Sequence, residues 1–129
     1  MNELLIVTAS ILVFWGVFLG WPIAVLFSKF CDESRVVTKR LVQSHVGSFL
    51  MGALLLGFGS LDFELDNLLQ ILLAASSCIF PQTFLVQSFW PSLTLKRYWV
   101  FFSMVPIFVL LTVSYGWLAI EVVNYYSKN

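Results

Sequence analysis

The chain has 129 residues, no net charge, 60% apolar residues and 11% charged ones, and a mean hydropathy of +0.92. Soluble domains carry roughly 25% charged residues, so this chain cannot cover itself with a polar surface, and a lipid bilayer is its expected solvent. Zero net charge without a basic tract also sets nucleic-acid binding aside.

The first apolar run covers residues 4–27. It exceeds the ~20 residues that a helix needs to cross about 30 Å of hydrocarbon. The preceding Met1, Asn2 and Glu3 carry no positive side chain, and the run is too long for a signal-peptide core. It is expected to remain as a span. Gly16 and Gly20 stand within it at G-x-x-x-G spacing, a pattern that lets helix backbones approach closely.

A polar connection, 28–40, leads to the second run at 41–61. It holds Cys31, which forms neither C-x-x-C nor C-x-x-C-H with the remaining cysteine, Cys78. The second run opens with RLVQSHVGSFLMG at 40–52, which contains the chain's one histidine, His45. Gly47 and Gly52 follow it in the pattern H-x-G-x4-G, and Ser44, Ser48 and Gly52 form a small-residue stripe at four-residue spacing. The stripes in runs one and two suit either plain helix packing or self-association between copies of the chain.

The acidic connection DFELDN precedes the third run, 68–90, which carries Gln70, Ser76, Ser77, Cys78, Pro81, Gln82 and Gln87. Pro81 lacks a backbone N–H and is expected to bend its helix. The basic connection 91–97 leads to the fourth run, 98–123, with Pro106. Short connections make sequential helices antiparallel. The expected fold is therefore all-α, one membrane domain built as a transmembrane up-down four-helix bundle.

Orientation follows from the basic residues. Lys29, Arg35, Lys39 and Arg40 lie in the first connection and Lys96 and Arg97 in the third, against Lys128 alone at the termini. Segments 28–40 and 91–97 are expected to face the cytoplasm, with both termini outward.

His45 then lies about one turn inside the cytoplasmic boundary. An ionisable residue at that depth usually faces the bundle interior, a partner or a cofactor. It serves either as an interfacial hydrogen-bonder, to a headgroup, Gln43 or Ser48, or as a metal or haem ligand. A zinc site needs three or four side-chain ligands, and His45, Cys78 and Glu121 are scattered along the chain. Haem needs only one axial ligand. Gly47 and Gly52 would then let a flat macrocycle lie against the helix. Pro81, Gln82, Gln87 and Pro106 fall at a similar depth and suggest a polar-lined cavity there.

His45, Gly47 and Gly52 behind a basic flank, in a four-span chain of this size, resemble the styrene oxide isomerase family. The resemblance covers roughly residues 40–52, together with overall size and topology. It implies haem b held by one histidine, His45, in a homo-oligomer, a trimer, embedded in the bilayer. It also implies that ferric haem acts as a Lewis acid converting a small hydrophobic epoxide to a carbonyl. The chain departs from the family at Met51, where an asparagine is usual, and the family's tyrosine and asparagine on span three have no counterpart. Gln82 is the candidate polar contact in their place. A non-catalytic four-helix membrane subunit or scaffold, packing through its small-residue stripes, is the alternative from a different functional class.

Overall fold

The computed structural model describes residues 2–27, 38–90 and 97–128. Four helices account for most of this length: α1 (Glu3–Phe27), α2 (Thr38–Gly59), α3 (Asn67–Phe89) and α4 (Arg97–Lys128). The described residues contain no strand. The expected cytoplasmic segments, with Lys29, Cys31, Arg35 and Lys96, lie outside the described residues apart from their helical ends.

Each of the four helices is long and apolar enough to cross a bilayer. The chain is thus an all-α, multi-pass membrane protein. The helices differ from the apolar runs at their ends because hydropathy marks lipid contact and not backbone conformation. α2 already includes Lys39 and Arg40, which are good helix formers. α4 has 32 residues, about 48 Å at 1.5 Å per residue, and continues past Val123 to Lys128. α1, α3 and α4 run unbroken through Pro22, Pro81 and Pro106.

α1 packs chiefly on α2, α2 also on α3, and α4 mainly on α3. α1, α2 and α3 form a compact trio, with α4 at its side. One end of the bundle gathers Asn2, the α2–α3 turn and the last turns of α4. There Tyr125 stacks on Phe63 with ring centroids 4.3 Å apart. Gly59 closes this end, because a Cβ on it would lie 2.7 Å from Ile6 Cγ1. Asp66 caps α3, its carboxylate accepting from the Leu68 amide at 3.4 Å.

Leu5, Leu12, Leu55, Leu69 and Leu73 form the centre of the main core, joined by Leu118 from α4. A smaller cluster, Leu19 and Leu41 with Trp15, Ile23 and Leu85 against them, fills the other end. Apolar side chains on the outer faces, such as Phe14, Trp21, Val109 and Ile120, point away from the bundle. This is the arrangement a hydrocarbon solvent favours, since lipid tails are as apolar as leucine and helix association rests on close packing and interhelical hydrogen bonds.

Candidate functional site

The smaller cluster lies beside the polar residues singled out in the sequence. His45 faces α1. Its Nδ1 lies 2.7 Å from the Gly16 carbonyl oxygen. A carbonyl oxygen only accepts, so Nδ1 carries the proton, and in the neutral ring the lone pair is on Nε2. No described residue partners Nε2. The ring is further held by Phe49, edge-on with centroids 5.1 Å apart and planes at 87°. On its other side lies Gly20, where a Cβ would come within 3.4 Å of His45 Cε1. Two of the site's constraints therefore come from the Gly16/Gly20 pair, one as a backbone acceptor and one as open space.

The small-residue stripes face each other within one chain. Ser44 and Ser48 are fully buried, and a Cβ on Gly16 would lie 3.1 Å from the Phe49 ring. At Gly52 a Cβ would lie 2.8 Å from Val13 Cγ2 and 3.2 Å from the Ala9 carbonyl oxygen. Gly47 faces α3, and a Cβ there would lie 3.3 Å from Pro81 Cβ. The clearance at both Gly47 and Gly52 is filled by the chain's own α1 and α3. The stripes serve the α1–α2 contact within one chain.

Gln82, on α3, is joined to α1 by a hydrogen bond from Trp15 Nε1 to its Oε1, at 3.0 Å. Trp15 and Gly16 are consecutive, so adjacent residues of α1 hold Gln82 and His45. The contact between Gly47 and Pro81 brings the same level of α2 against α3. His45 and Gln82 thus sit at one depth around α1, although α2 and α3 are different spans. The other glutamine of this half, Gln87, is buried with no partner for Oε1, and Ser44 Oγ is likewise buried and unpartnered. At the entrance, Arg40 bonds Gln43 at 3.0 Å and lies 5.8 Å from the centre of the Phe84 ring.

Sequence reasoning did not find Trp15, because the residue that gives it a role lies 67 positions away. It also missed Tyr115, whose hydroxyl pairs with Ser77 Oγ at 2.8 Å and donates to Met51 Sδ at 3.8 Å. Met51 therefore faces α4 and its tyrosine. A shallow hollow of about 300 Å³ lies on α4, lined by Val105, Phe108, Val109, Thr112 and Val113. It involves none of the polar residues around His45.

Among the described residues no three His, Cys, Asp or Glu side chains come together. The donor set at this site is one imidazole with its second nitrogen fixed, and it fits a group that needs a single axial ligand. Comparison with protein-family models, with curated proteins and with solved structures returns no match for this chain.

Proposed function

We propose that this chain is a membrane haem-b protein of the epoxide-isomerase type, in which His45 Nε2 would hold the iron. The observation that carries the reading is the 2.7 Å contact between His45 Nδ1 and the Gly16 carbonyl oxygen. Metal-ligating histidines commonly donate their other ring N–H to a carbonyl or carboxylate, which fixes the tautomer and the ring plane. Here a helix backbone performs that task, and Phe49 limits ring rotation. When bound, ferric haem supplies a Lewis acid for the oxygen of a small hydrophobic epoxide.

Val46 and Leu50, exposed on α2 near His45, would offer apolar surface to such a group. The inner sides of Gly47 and Gly52 are already filled. The functional form is a homo-oligomer, a trimer by the family resemblance. Both termini face outward, and the connections after α1 and α3 face the cytoplasm.

The test is the visible spectrum of protein purified from cells supplied with haem. Wild type is expected to show a Soret band. His45→Ala should remove or strongly shift that band and leave the helical content unchanged, since all four spans remain. A colourless wild-type protein sinks the reading.

A second reading has its own observation. His45, the stripes and Phe49 all tie α1 to α2, as a purely structural histidine would. In that case the chain is a non-catalytic membrane subunit, colourless and stable, and His45→Ala lowers stability without any spectral change.

A further inference from the structure

We infer that Arg40 and the aromatic row beside it hold one anionic phospholipid, with its phosphate on the guanidinium and an acyl chain along the hollow of α4. The inference is independent of the haem reading. It uses the orientation proposed above only to say which leaflet supplies the lipid.

The neutral chain is polarised from end to end. Lys29, Arg35, Lys39, Arg40, Lys96 and Arg97 belong to the end that carries the connections after α1 and α3, with Asp32 and Glu33 against them. Glu3, Asp62, Glu64, Asp66 and Glu121 belong to the other end, with Lys128 alone. Asp32 and Glu33 lie outside the described residues, and every described carboxylate is at the end away from Arg40. Among the described residues Arg40 therefore has no countercharge. Its guanidinium uses one of five N–H donors on Gln43 Oε1, at 3.0 Å, and its carbon lies 5.8 Å from the centre of the Phe84 ring. The group is steadied from two sides and keeps donors for a phosphate, which a guanidinium binds as a fork.

An apolar track begins at the same ring. Phe84 meets Phe80 edge-on with centroids 5.4 Å apart, and Phe80 meets Phe108 of α4 at 5.6 Å. Phe108 lines the hollow of about 300 Å³ together with Val105, Val109 and Val113. Thr112 also lines it but donates its hydroxyl to the Phe108 carbonyl at 2.7 Å, so the wall presents carbon. Arg40 stands two residues into α2, about 3 Å along its axis. Phe108 stands eleven residues into α4, about 16 Å along its axis. One leaflet supplies about 15 Å of hydrocarbon, half of a core of about 30 Å. The track thus has a charged end at the surface and an apolar end near the midplane, spaced as in a phospholipid.

Charge complementarity selects the occupant. An uncompensated guanidinium calls for an anion, and a lipid of net negative charge supplies one without a competing cation of its own. A second copy of the chain, set the same way in the bilayer, brings its described carboxylates to the far end again and leaves Arg40 uncompensated. A free phosphate gains nothing from the aromatic row or the hollow. In the proposed orientation the lipid comes from the cytoplasmic leaflet, where anionic headgroups concentrate and attract basic side chains at the membrane surface.

The experiment titrates the full chain in mild detergent with phosphatidylglycerol or phosphatidylcholine of identical acyl chains and reads bound lipid by native mass spectrometry. Phosphatidylglycerol is expected to bind about tenfold more tightly, the size of effect a hydrogen bond to a charged group supplies. Arg40→Gln should bring the two lipids to equal retention. Lys39→Gln removes the neighbouring exposed cation and should change the ratio by no more than about twofold, as for a surface charge. Val109→Trp fills the hollow and should weaken phosphatidylglycerol, and glycerol phosphate, the headgroup without chains, should fail to displace it. Equal retention of the two lipids by wild type overturns the inference. Equal losses in Lys39→Gln and Arg40→Gln overturn it by marking a diffuse surface field. Displacement by glycerol phosphate, or a Val109→Trp variant that binds as wild type does, overturns it by removing the acyl chain from the site. The Soret band plays no part, so this inference and the haem reading can fail separately.

Discussion

Asn2 and Leu65 are joined across 63 positions of chain. The Leu65 amide donates to Asn2 Oδ1 at 2.7 Å, and Asn2 Nδ2 donates to the carbonyls of Phe63 and Phe58 at 3.2 and 3.4 Å. The side chain before α1 thereby closes the turn between α2 and α3. Asn2 is fully buried, so water cannot replace these bonds. Asn2→Leu is expected to cost about 1–3 kcal/mol, the usual penalty for orphaned buried polar groups. Asn2→Asp keeps the acceptor for Leu65 but sets a second acceptor against the Phe58 and Phe63 carbonyls, and should cost at least as much. Unfolding in detergent by rising SDS fraction measures both, and a Leu variant as stable as wild type refutes the assignment.

Gly52 and Gly57 lie on the same helix and make opposite predictions. A Cβ at Gly52 would clash with Val13, whereas one at Gly57 meets nothing within 4 Å. Gly52→Ala should destabilise by about 1–3 kcal/mol through overpacking. Gly57→Ala should be neutral or stabilising by up to about 1 kcal/mol, because alanine favours the helix. Adding Val13→Ala to Gly52→Ala should recover part of the loss. Recovery stays incomplete, since the Ala9 carbonyl oxygen remains 3.2 Å from the new methyl. Equal effects at the two glycines, read from thermal unfolding, contradict the close α1–α2 contact.

Tyr115 is a polar link from α4 to the interior. Its hydroxyl meets Ser77 at 2.8 Å. Interhelical hydrogen bonds in membranes contribute roughly 0.6–2 kcal/mol. Tyr115→Phe and Ser77→Ala should each destabilise, and the double variant should lose less than the two combined. A coupling energy of zero in that cycle means the hydroxyls act independently.

The proposed orientation rests on the basic residues of segments 28–40 and 91–97. With the native cysteines replaced, a cysteine at Asp66 should react with an impermeant maleimide added to whole cells. One at Lys39 should react only after lysis; both positions are exposed. The reverse labelling pattern inverts the topology.

Span number, helical class and membrane residence were legible from residues alone. Long apolar runs broken by DFELDN and by basic segments admit few other folds, because every backbone polar group in hydrocarbon must be paired within its own helix. The position of His45 along α2 was legible for the same reason, since rise per residue converts sequence position into distance. Its partner was not. Gly16 sits 29 positions away and contributes only a backbone carbonyl, which no residue type announces. The small-residue stripes could be read, but not whether they would meet each other or a second chain.

Which faces meet was decided by tertiary structure. Gly47 found Pro81, Gly52 found Val13, and Trp15 found Gln82 because three helices locked at one relative rotation and height. Composition specifies that a span is buried in lipid and says little about its angle around its own axis, as nearly every face of these helices is apolar. The choice among rotations rests on van der Waals fit at a few glycines and on a handful of hydrogen bonds. Each is worth about a kilocalorie, and each exists only once the helices are side by side.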